Sequence, residues 1–396
     1  MRDNSNIEPQ RSSFTKPNKF DEVCPMFESS SSCSIDYECP IDRAGPIHSI
    51  PSFDQRDFDV GKFLGAGSFC GVFEASLSAR YMKKQKAQMR NNDTQESSPS
   101  VVAIKKVQGS GLSDHRREHA QRDLLHESHL LSSLDHKNII RIYGTGPLDG
   151  DIICDKNRHP FIVLEKLTCT LEDRLQLWRK NKKGELFRTR LQVAASIASA
   201  LAYLHSNGIV FRDLKPSNVG FDIYGNVKLF DLGLSVRADS TDDRRDEYCG
   251  TPRYMAPEVF HSSSNSNSNS SCCSKEDESE RFNHNAYAVD VYSFGILLWE
   301  IGTLKKPFGE SVSVKTLRKK VIEGTRPKIP SDWNRSLQYI VQSSWSSDVT
   351  QRPTMSLIQR LLECKILSRD QIDSPSVGRM ELMKQTIKGR RRFSSV

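Results

Sequence analysis

Asp213, Lys215, Asn218 and Asp231 are the residues of this 396-residue chain whose types and spacing speak most directly of chemistry. Two carboxylates, an amide and a cation fall within FRDLKPSNVGFDIYGNVKLFD, the stretch from Phe211 to Asp231. Acceptor oxygens of this kind suit Mg²⁺, which keeps several waters and takes one or two carboxylates together with phosphate oxygens. The plain alternative is a capping aspartate and two loop polars.

For these groups to meet, the chain between them must turn back on itself. The alternating apolar positions of VKLF suit a half-buried strand, and Gly225-Asn226 between two such runs suits a hairpin. A hairpin sets Asn218, at its start, beside Asp231, at its end, with Asp213 one turn upstream. Earlier in the chain, FDVGKFLGAGSFCGVFEASL (Phe58 to Leu77) reads as strand, glycine-rich turn, strand. Gly65 and Gly67 would let backbone N–H groups approach phosphate oxygens, or simply turn a hairpin. A polar, basic insertion over 79–100 separates this hairpin from VVAIKKV, Val101 to Val107. Such an insertion costs only about 0.6 kcal/mol per doubling of loop length. In the helix that follows, Leu124, Leu131 and Leu134 share a face with Glu127. A carboxylate on an apolar stripe needs a cation, because an unpaired buried charge costs several kcal/mol, on the order of 3–5. Lys105 is the expected partner of Glu127, with Glu118 as the competing acid.

These segments resemble the protein kinases, whose catalytic and magnesium loops read H-R-D-L-x-x-x-N and D-F-G. Here they stand as FRDLKPSN and Asp231-Leu232-Gly233. VAIK ending at Lys105, the run from Glu127 to Ile139, FIVLEKL, GTPRYMAPE, DVYSFGILLWEI and QRPT follow in the family's order. GTPRYMAPE and the lysine of DLKPSN resemble the serine/threonine branch, and DVYSFGILLWEI resembles its tyrosine-kinase-like group. The resemblance spans residues 53–367 and implies an α+β, bilobal fold. It divides into a small β-rich N-lobe (53–164), a hinge (165–167) and a larger, mostly helical C-lobe (168–367). Composition marks residues 1–52 as a disordered tail, 261–280 as a low-complexity Ser/Asn insert and 368–396 as a basic tail.

The resemblance also implies roles, with ATP and Mg²⁺ as the small partners and proteins as substrates. Asp213 would accept or orient the proton of the substrate hydroxyl, and Lys215 would neutralise the moving phosphoryl group. Asn218 and Asp231 would hold the metal, and Lys105, fixed by Glu127, would orient the ATP phosphates. Thr251 would brace Asp213 and Lys215. Leu64, Gly65, Gly67, Val72 and Ala103 would line the nucleotide, Leu164 would guard the back pocket, and the main chain of Glu165 and Leu167 would bond adenine. Asp290 would steady the catalytic loop, Arg352 would pair with Glu258, and Leu131, Ile142, Phe211 and Leu232 would stack as an apolar column.

Three positions depart from the family pattern. Cys70 stands where the third loop glycine belongs, with Gly71 one place late. Phe211 replaces the histidine before the catalytic Arg-Asp. Gly220 replaces a bulky apolar residue that floors the adenine pocket, an absence expected to remove about 1–2 kcal/mol of buried contact. These departures leave a pseudokinase scaffold as the rival reading. A tyrosine-directed kinase is disfavoured by Lys215 and GTPRYMAPE.

Composition bounds the remainder. The net charge of +8 sits largely in short runs, KKQK at Lys83 and KGRRR at Lys388, which read as solvated charge, so no specific nucleic-acid partner is expected. Ten cysteines without a Cys-x-x-Cys pair, no signal-like start and no 18-residue apolar run suit a cytoplasmic protein without a membrane span, the nucleus being the alternative. Ser394-Ser395-Val396 resembles a PDZ-domain ligand, and Arg391-Arg392-Phe393-Ser394 a basophilic phosphorylation site. Glu247, beside Asp246, falls where kinases switched by phosphorylation carry phosphothreonine, so it is a candidate permanent anion for Arg212. Phosphorylation at Ser240, Thr241 or Tyr248 is the competing source, and a solvated acidic loop the plain one.

Overall fold

Alternation along three adjacent strands decides how the first half of the molecule is built. The computed structural model describes residues 50–67, 69–82, 101–108, 112–147, 160–181, 187–239, 249–260 and 286–367. Strands β1 (Phe58–Ala66), β2 (Cys70–Leu77), β3 (Val101–Val107), β4 (Ile142–Thr145) and β5 (Phe161–Leu164) form one antiparallel sheet in the order β1-β2-β3-β5-β4. Successive side chains of a strand face opposite ways. Val102, Ile104 and Val163 therefore join Phe53, Phe58, Ala75 and Phe161 in a small outer core. Ala103, Val107, Ile162 and Leu164 face the other way, into the main core. Lys105, two residues after Ala103, is carried on that inner face.

The sheet starts slightly earlier than the composition of the tail suggested. Thr145 donates its N–H to the Pro51 carbonyl and accepts from Phe53, so the last residues assigned to the tail pair with β4. The 79–100 insertion opens with a helical turn over 79–82. The rest of that insertion, residues 148–159, the Ser/Asn run and the basic C-terminal segment lie outside the described residues.

Helix α1 (Asp114–Ser132) packs on the inner face of the sheet, its start capped by the Ser113 side chain. Leu124 and Leu131 are buried on it beside Glu127. Beyond β5 come β6 (Cys169–Thr170), α2 (Leu171–Lys180) and α3 (Phe187–Ser206). Helix α3 buries Leu191, Ala195, Ala198, Leu201 and Leu204, the stripe that its periodicity implies. It stops at Asn207-Gly208, where Gly208 adopts φ +74°, a left-handed turn that glycine takes without strain.

The hairpin between Asn218 and Asp231 is present as β8 (Val219–Phe221) and β9 (Val227–Leu229), following β7 (Ile209–Val210). Its loop is closed by Asp222, which accepts from the N–H groups of Tyr224 and Asn226. Asn138, from the run after α1, donates its amide to the Val227 carbonyl at 2.9 Å and so ties the sheet to this hairpin. Strand β10 (Val236–Arg237) returns to pair with β7. Helix α4 (Ala288–Thr303) is apolar on nearly every side and is buried accordingly. Helices α5 (Val314–Ile322), α6 (Arg335–Ser344) and α7 (Met355–Leu361) complete the helical lobe. No described helix is long and apolar enough to cross a membrane.

Candidate active site

Two polar clusters meet where the sheet lobe faces the β8–β9 hairpin. The first is built from three distant segments. Lys105 on β3 places its Nζ 2.6 Å from Glu127 Oε2 on α1 and 2.8 Å from Asp231 Oδ1 after β9. Glu118 takes no part in it, being paired with Arg122 one helical turn away at 2.6 Å. Burial alone would push the Lys105 ammonium down, but the two carboxylates outweigh that and hold its pKa above the usual lysine range. Lys105 conversely holds Asp231 below the usual carboxylate range against its burial, with a further contribution from Lys215. Burial raises the Glu127 carboxyl against the opposing pull of Lys105.

The second cluster is local. Asp213 Oδ2 accepts from Lys215 Nζ at 2.6 Å and from the Asn218 amide at 3.0 Å, and Oδ1 accepts from the Thr251 hydroxyl at 2.8 Å. The Asn218 amide also donates to the Asp213 carbonyl. Thr251 thus holds Asp213, while no bond between Thr251 and Lys215 forms among the described residues. Phe230 donates its N–H to the Asn218 carbonyl at 3.1 Å, which zips the hairpin shut at the level of Asp231. Asp213 and Asn218 are thus bonded directly, and the Phe230–Asn218 main-chain bond brings the Asp231 segment alongside them.

Backbone conformation adds to this. Arg212 and Asp231 both sit at positive φ, 69° and 67°. Non-glycine residues pay strain there, about 1–3 kcal/mol each, and the surroundings must over-determine them. Asp290 does so for the first. Fully buried on α4, it accepts from the N–H of Phe211 at 2.8 Å and of Arg212 at 2.7 Å, and it also bonds His205 at 2.9 Å. The Arg352–Glu258 pair forms as well, at 2.6 Å. Leu131, Ile142, Phe211 and Leu232 are all buried within one core.

Oxygen chemistry at the pocket fits a magnesium ion. Asn218 commits its amide nitrogen to Asp213, which leaves its amide oxygen as an acceptor. Only one Asp231 oxygen is taken by Lys105, and that side chain is 41% exposed. The glycine-rich turn fits a phosphate in the same way. A Cβ built at Gly65 or Gly67 would meet no atom within 4 Å, so the protein's own packing does not call for glycine at either position. The free volume is what a ligand approaching the backbone needs. Leu64 is partly exposed at this edge, Val72 pairs with Gly65, and Ala103 is buried beneath. Leu164, at the inner end of β5, is buried too.

The three departures resolve differently. Phe211 is fully buried, as an aromatic hydrocarbon in a column should be. Cys70 is strand-paired with Val107, and its thiol is buried on the inner face, where burial pushes its pKa up to about 11. Gly71 serves packing, since a Cβ there would lie 2.9 Å from the Phe73 ring. Gly220 leaves no gap. A Cβ there would lie 2.5 Å from Leu167 Cδ1 and 3.2 Å from Phe230 Cε1, so the expected vacancy in the pocket floor is filled by other side chains.

Sequence reasoning assigned Glu165 only main-chain contacts. Its carboxylate pairs with Lys228 on β9 at 2.9 Å, tying the hinge to the hairpin. Lys166 reaches back to Glu74 on β2 at 2.6 Å. His126, next to Glu127, bonds the Ser235 carbonyl at 2.7 Å and joins α1 to the segment after Asp-Leu-Gly. None of these pairs has a spacing signal, because their members are far apart in the chain. Glu247, Asp246, Ser240, Thr241 and Tyr248 lie outside the described residues.

The protein kinase domain family matches residues 58–364. The dual specificity protein kinase shkD of Dictyostelium discoideum is 28% identical over 360 residues, 89% of this chain and 41% of that protein. The serine/threonine-protein kinase STY46 of Arabidopsis thaliana is 32% identical over 265 residues, 66% of this chain and 40% of that protein. The serine/threonine/tyrosine-protein kinase HT1 of the same plant is 28% identical over 263 residues, again 66% of this chain and 60% of that protein. The chain thus spans about two fifths of the length of two of these relatives and three fifths of the third.

Proposed function

The chain belongs to the protein kinase domain family, and from that premise we propose that it is an active kinase, transferring the γ-phosphate of ATP to serine and threonine hydroxyls of proteins. One observation carries this reading. Lys105, Glu127, Asp213, Lys215, Asn218, Asp231 and Thr251, drawn from five separated stretches of chain, converge in two bonded clusters at one cleft.

Asp213 is held by Lys215, Asn218 and Thr251 with its carboxylate at the cleft, where it orients a substrate hydroxyl and takes its proton. Lys215 balances charge on the phosphoryl group in transit. Lys105, fixed by Glu127, orients the inner phosphates, and the turn at Gly65 and Gly67 offers backbone N–H groups to them. Asn218 and Asp231 would hold magnesium, which supplies positive charge against the phosphate oxygens. Little covalent help is needed, so positioning and charge carry the catalysis.

The scaffold reading rested on Phe211, Cys70 and Gly220. Burial of the first two, and the filled floor at the third, support retained turnover. The names of the shkD and HT1 relatives favour testing tyrosine acceptors alongside serine and threonine. The experiment is transfer from labelled ATP to generic protein acceptors, followed by phosphoamino-acid analysis, for wild type and Asp213→Asn. We expect phosphoserine and phosphothreonine from wild type and a loss of about 10²–10⁴-fold in the variant, the range of a removed general base. Equal signal from both proteins would overturn the proposal.

A further inference from the structure

Strand alternation determines where Gly220 looks. Val219 and Phe221 are fully buried in the main core, so the 220 position between them, itself buried, faces the opposite way, toward Leu167 and Phe230. A side chain there would form part of the cleft's lower wall. Instead the wall is made by Leu167, which reaches in from the hinge. Its Cδ1 and Cγ lie 2.5 Å and 3.4 Å from the point where a Cβ at 220 would stand, with Phe230 alongside at 3.2 Å. Leu167 and Phe230 both pack on the core while remaining partly exposed, as residues lining a cavity do. Strand pairing holds the two chains together, for Thr170 is in register with Gly220 and Cys169 with Phe221.

We infer that Leu167 supplies the floor of the purine pocket in place of residue 220, and that glycine at 220 makes room for it because the leucine occupies the volume a side chain there would take. This rests on the reading of the cleft as an ATP site. Val72 and Ala103 then cover the base from the sheet side while Leu167 and Phe230 support it from below. One apolar volume is encoded at two positions, 53 residues apart. The hinge residue expected to meet adenine through its main chain also meets it through its side chain.

The test is a reciprocal exchange, read by Mg·ADP binding in calorimetry and by KM against kcat for ATP. Leu167→Ala opens the floor and should weaken Mg·ADP binding and raise KM about tenfold, the effect of losing a methylene or two of buried contact. The loss should fall in KM, with kcat moving little. Gly220→Leu alone drives Leu167 into the purine space and should raise KM at least as much. Combined, Leu167→Ala and Gly220→Leu should return binding and KM to within about threefold of wild type, well inside the tenfold step of either single change. Additive losses in the double variant, or unchanged binding in Leu167→Ala, overturn the inference while leaving the kinase reading intact. Wild type that binds Mg·ADP but transfers no phosphate overturns the kinase reading alone. Wild type that binds no nucleotide overturns both. Thermal midpoints of the three variants identify any that fail by unfolding.

Discussion

Arg352 and Lys105 are both largely buried cations paired with carboxylates, and they differ in how much of their surroundings is used up. Arg352 donates to Glu258 at 2.6 and 2.9 Å, to the Ala288 carbonyl at 2.9 Å and to the Ser346 carbonyl at 3.0 Å. Its guanidinium also lies over the Tyr292 ring at 5.2 Å. Nearly every donor is committed, all within one lobe. Lys105 instead divides one ammonium between two acids that belong to different lobes, and one of them, Asp231, is exposed to the cleft. A saturated cluster holds structure, and a cluster with acceptors to spare can exchange a protein partner for a ligand. That difference distinguishes the structural pair from the functional one more clearly than burial does.

The largest effect that could break the comparison is on stability. Arg352→Met leaves Glu258 without its cation and removes a side-chain donor from two backbone carbonyls. We expect a loss of about 2–3 kcal/mol, between that of an exposed pair and that of a fully buried one, because the Glu258 side chain stays one third exposed. Denaturant midpoints measure it, and the KM for ATP of the folded fraction should not move. A loss below about 1 kcal/mol, the size typical of an exposed pair, would remove the distinction between the two clusters.

Lys105→Met should reverse the pattern. Transfer should fall by about 10²–10³-fold, comparable to removing a donor aimed at transition-state charge. Stability should fall by only about 1–2 kcal/mol, because Glu127, already pushed up by burial, can take a proton once its cation is gone. Adding Glu127→Leu should restore stability without restoring transfer. The pH dependence follows from the shifts. Asp231 is depressed in the folded state, so its contribution is present above the unfolded carboxylate range and is lost as pH falls through the folded value. Lys105 is raised, so its contribution is present below the unfolded lysine range and is lost only as pH climbs through the folded value. Wild type should therefore lose part of its stability in acid, and Lys105→Met should lose less.

How much of this could be read beforehand divides along the same line. Asp213, Asn218 and Asp231 were legible because a hairpin is a local event, signalled by alternation and a turn. Lys105–Glu127 was legible because a carboxylate on an apolar stripe calls for a cation, and one strand supplied it. The Glu165–Lys228 and His126–Ser235 links were not, since each joins positions with no shared period and no turn between them. Gly220 was read as a hole because a sequence records a missing side chain at its own position only. The Leu167 side chain that fills the volume belongs to another segment and is brought in by strand pairing. Tail composition, likewise, did not reveal that Pro51 and Ser52 pair with Thr145, because main-chain bonds leave little mark on residue type.

Cys70 sharpens the contrast at the smallest scale. It is a nucleophile type beside the functional cluster, feeling Lys105, Glu127 and Asp231 through space, yet burial dominates and lifts its pKa to about 11. A thiol so shifted is a packing group at neutral pH, because the thiolate is the reactive form. Its stability contribution should be complete below the unfolded thiol range near about pH 8.5 and should fade as pH rises through the folded value. Cys70→Ala should therefore lower stability by about 1 kcal/mol at pH 7, the worth of a small buried group. It should also flatten the decline of the folded protein between pH 9 and 11 relative to wild type, a window set by the unfolded range and the folded value of about 11. Alkylation with iodoacetamide at pH 8 should label the partly exposed Cys169 well before Cys70. Rapid labelling of Cys70 in folded protein would mean that its charged neighbours, rather than burial, set its reactivity, and the glycine-rich turn would then carry a second reactive group next to Lys105.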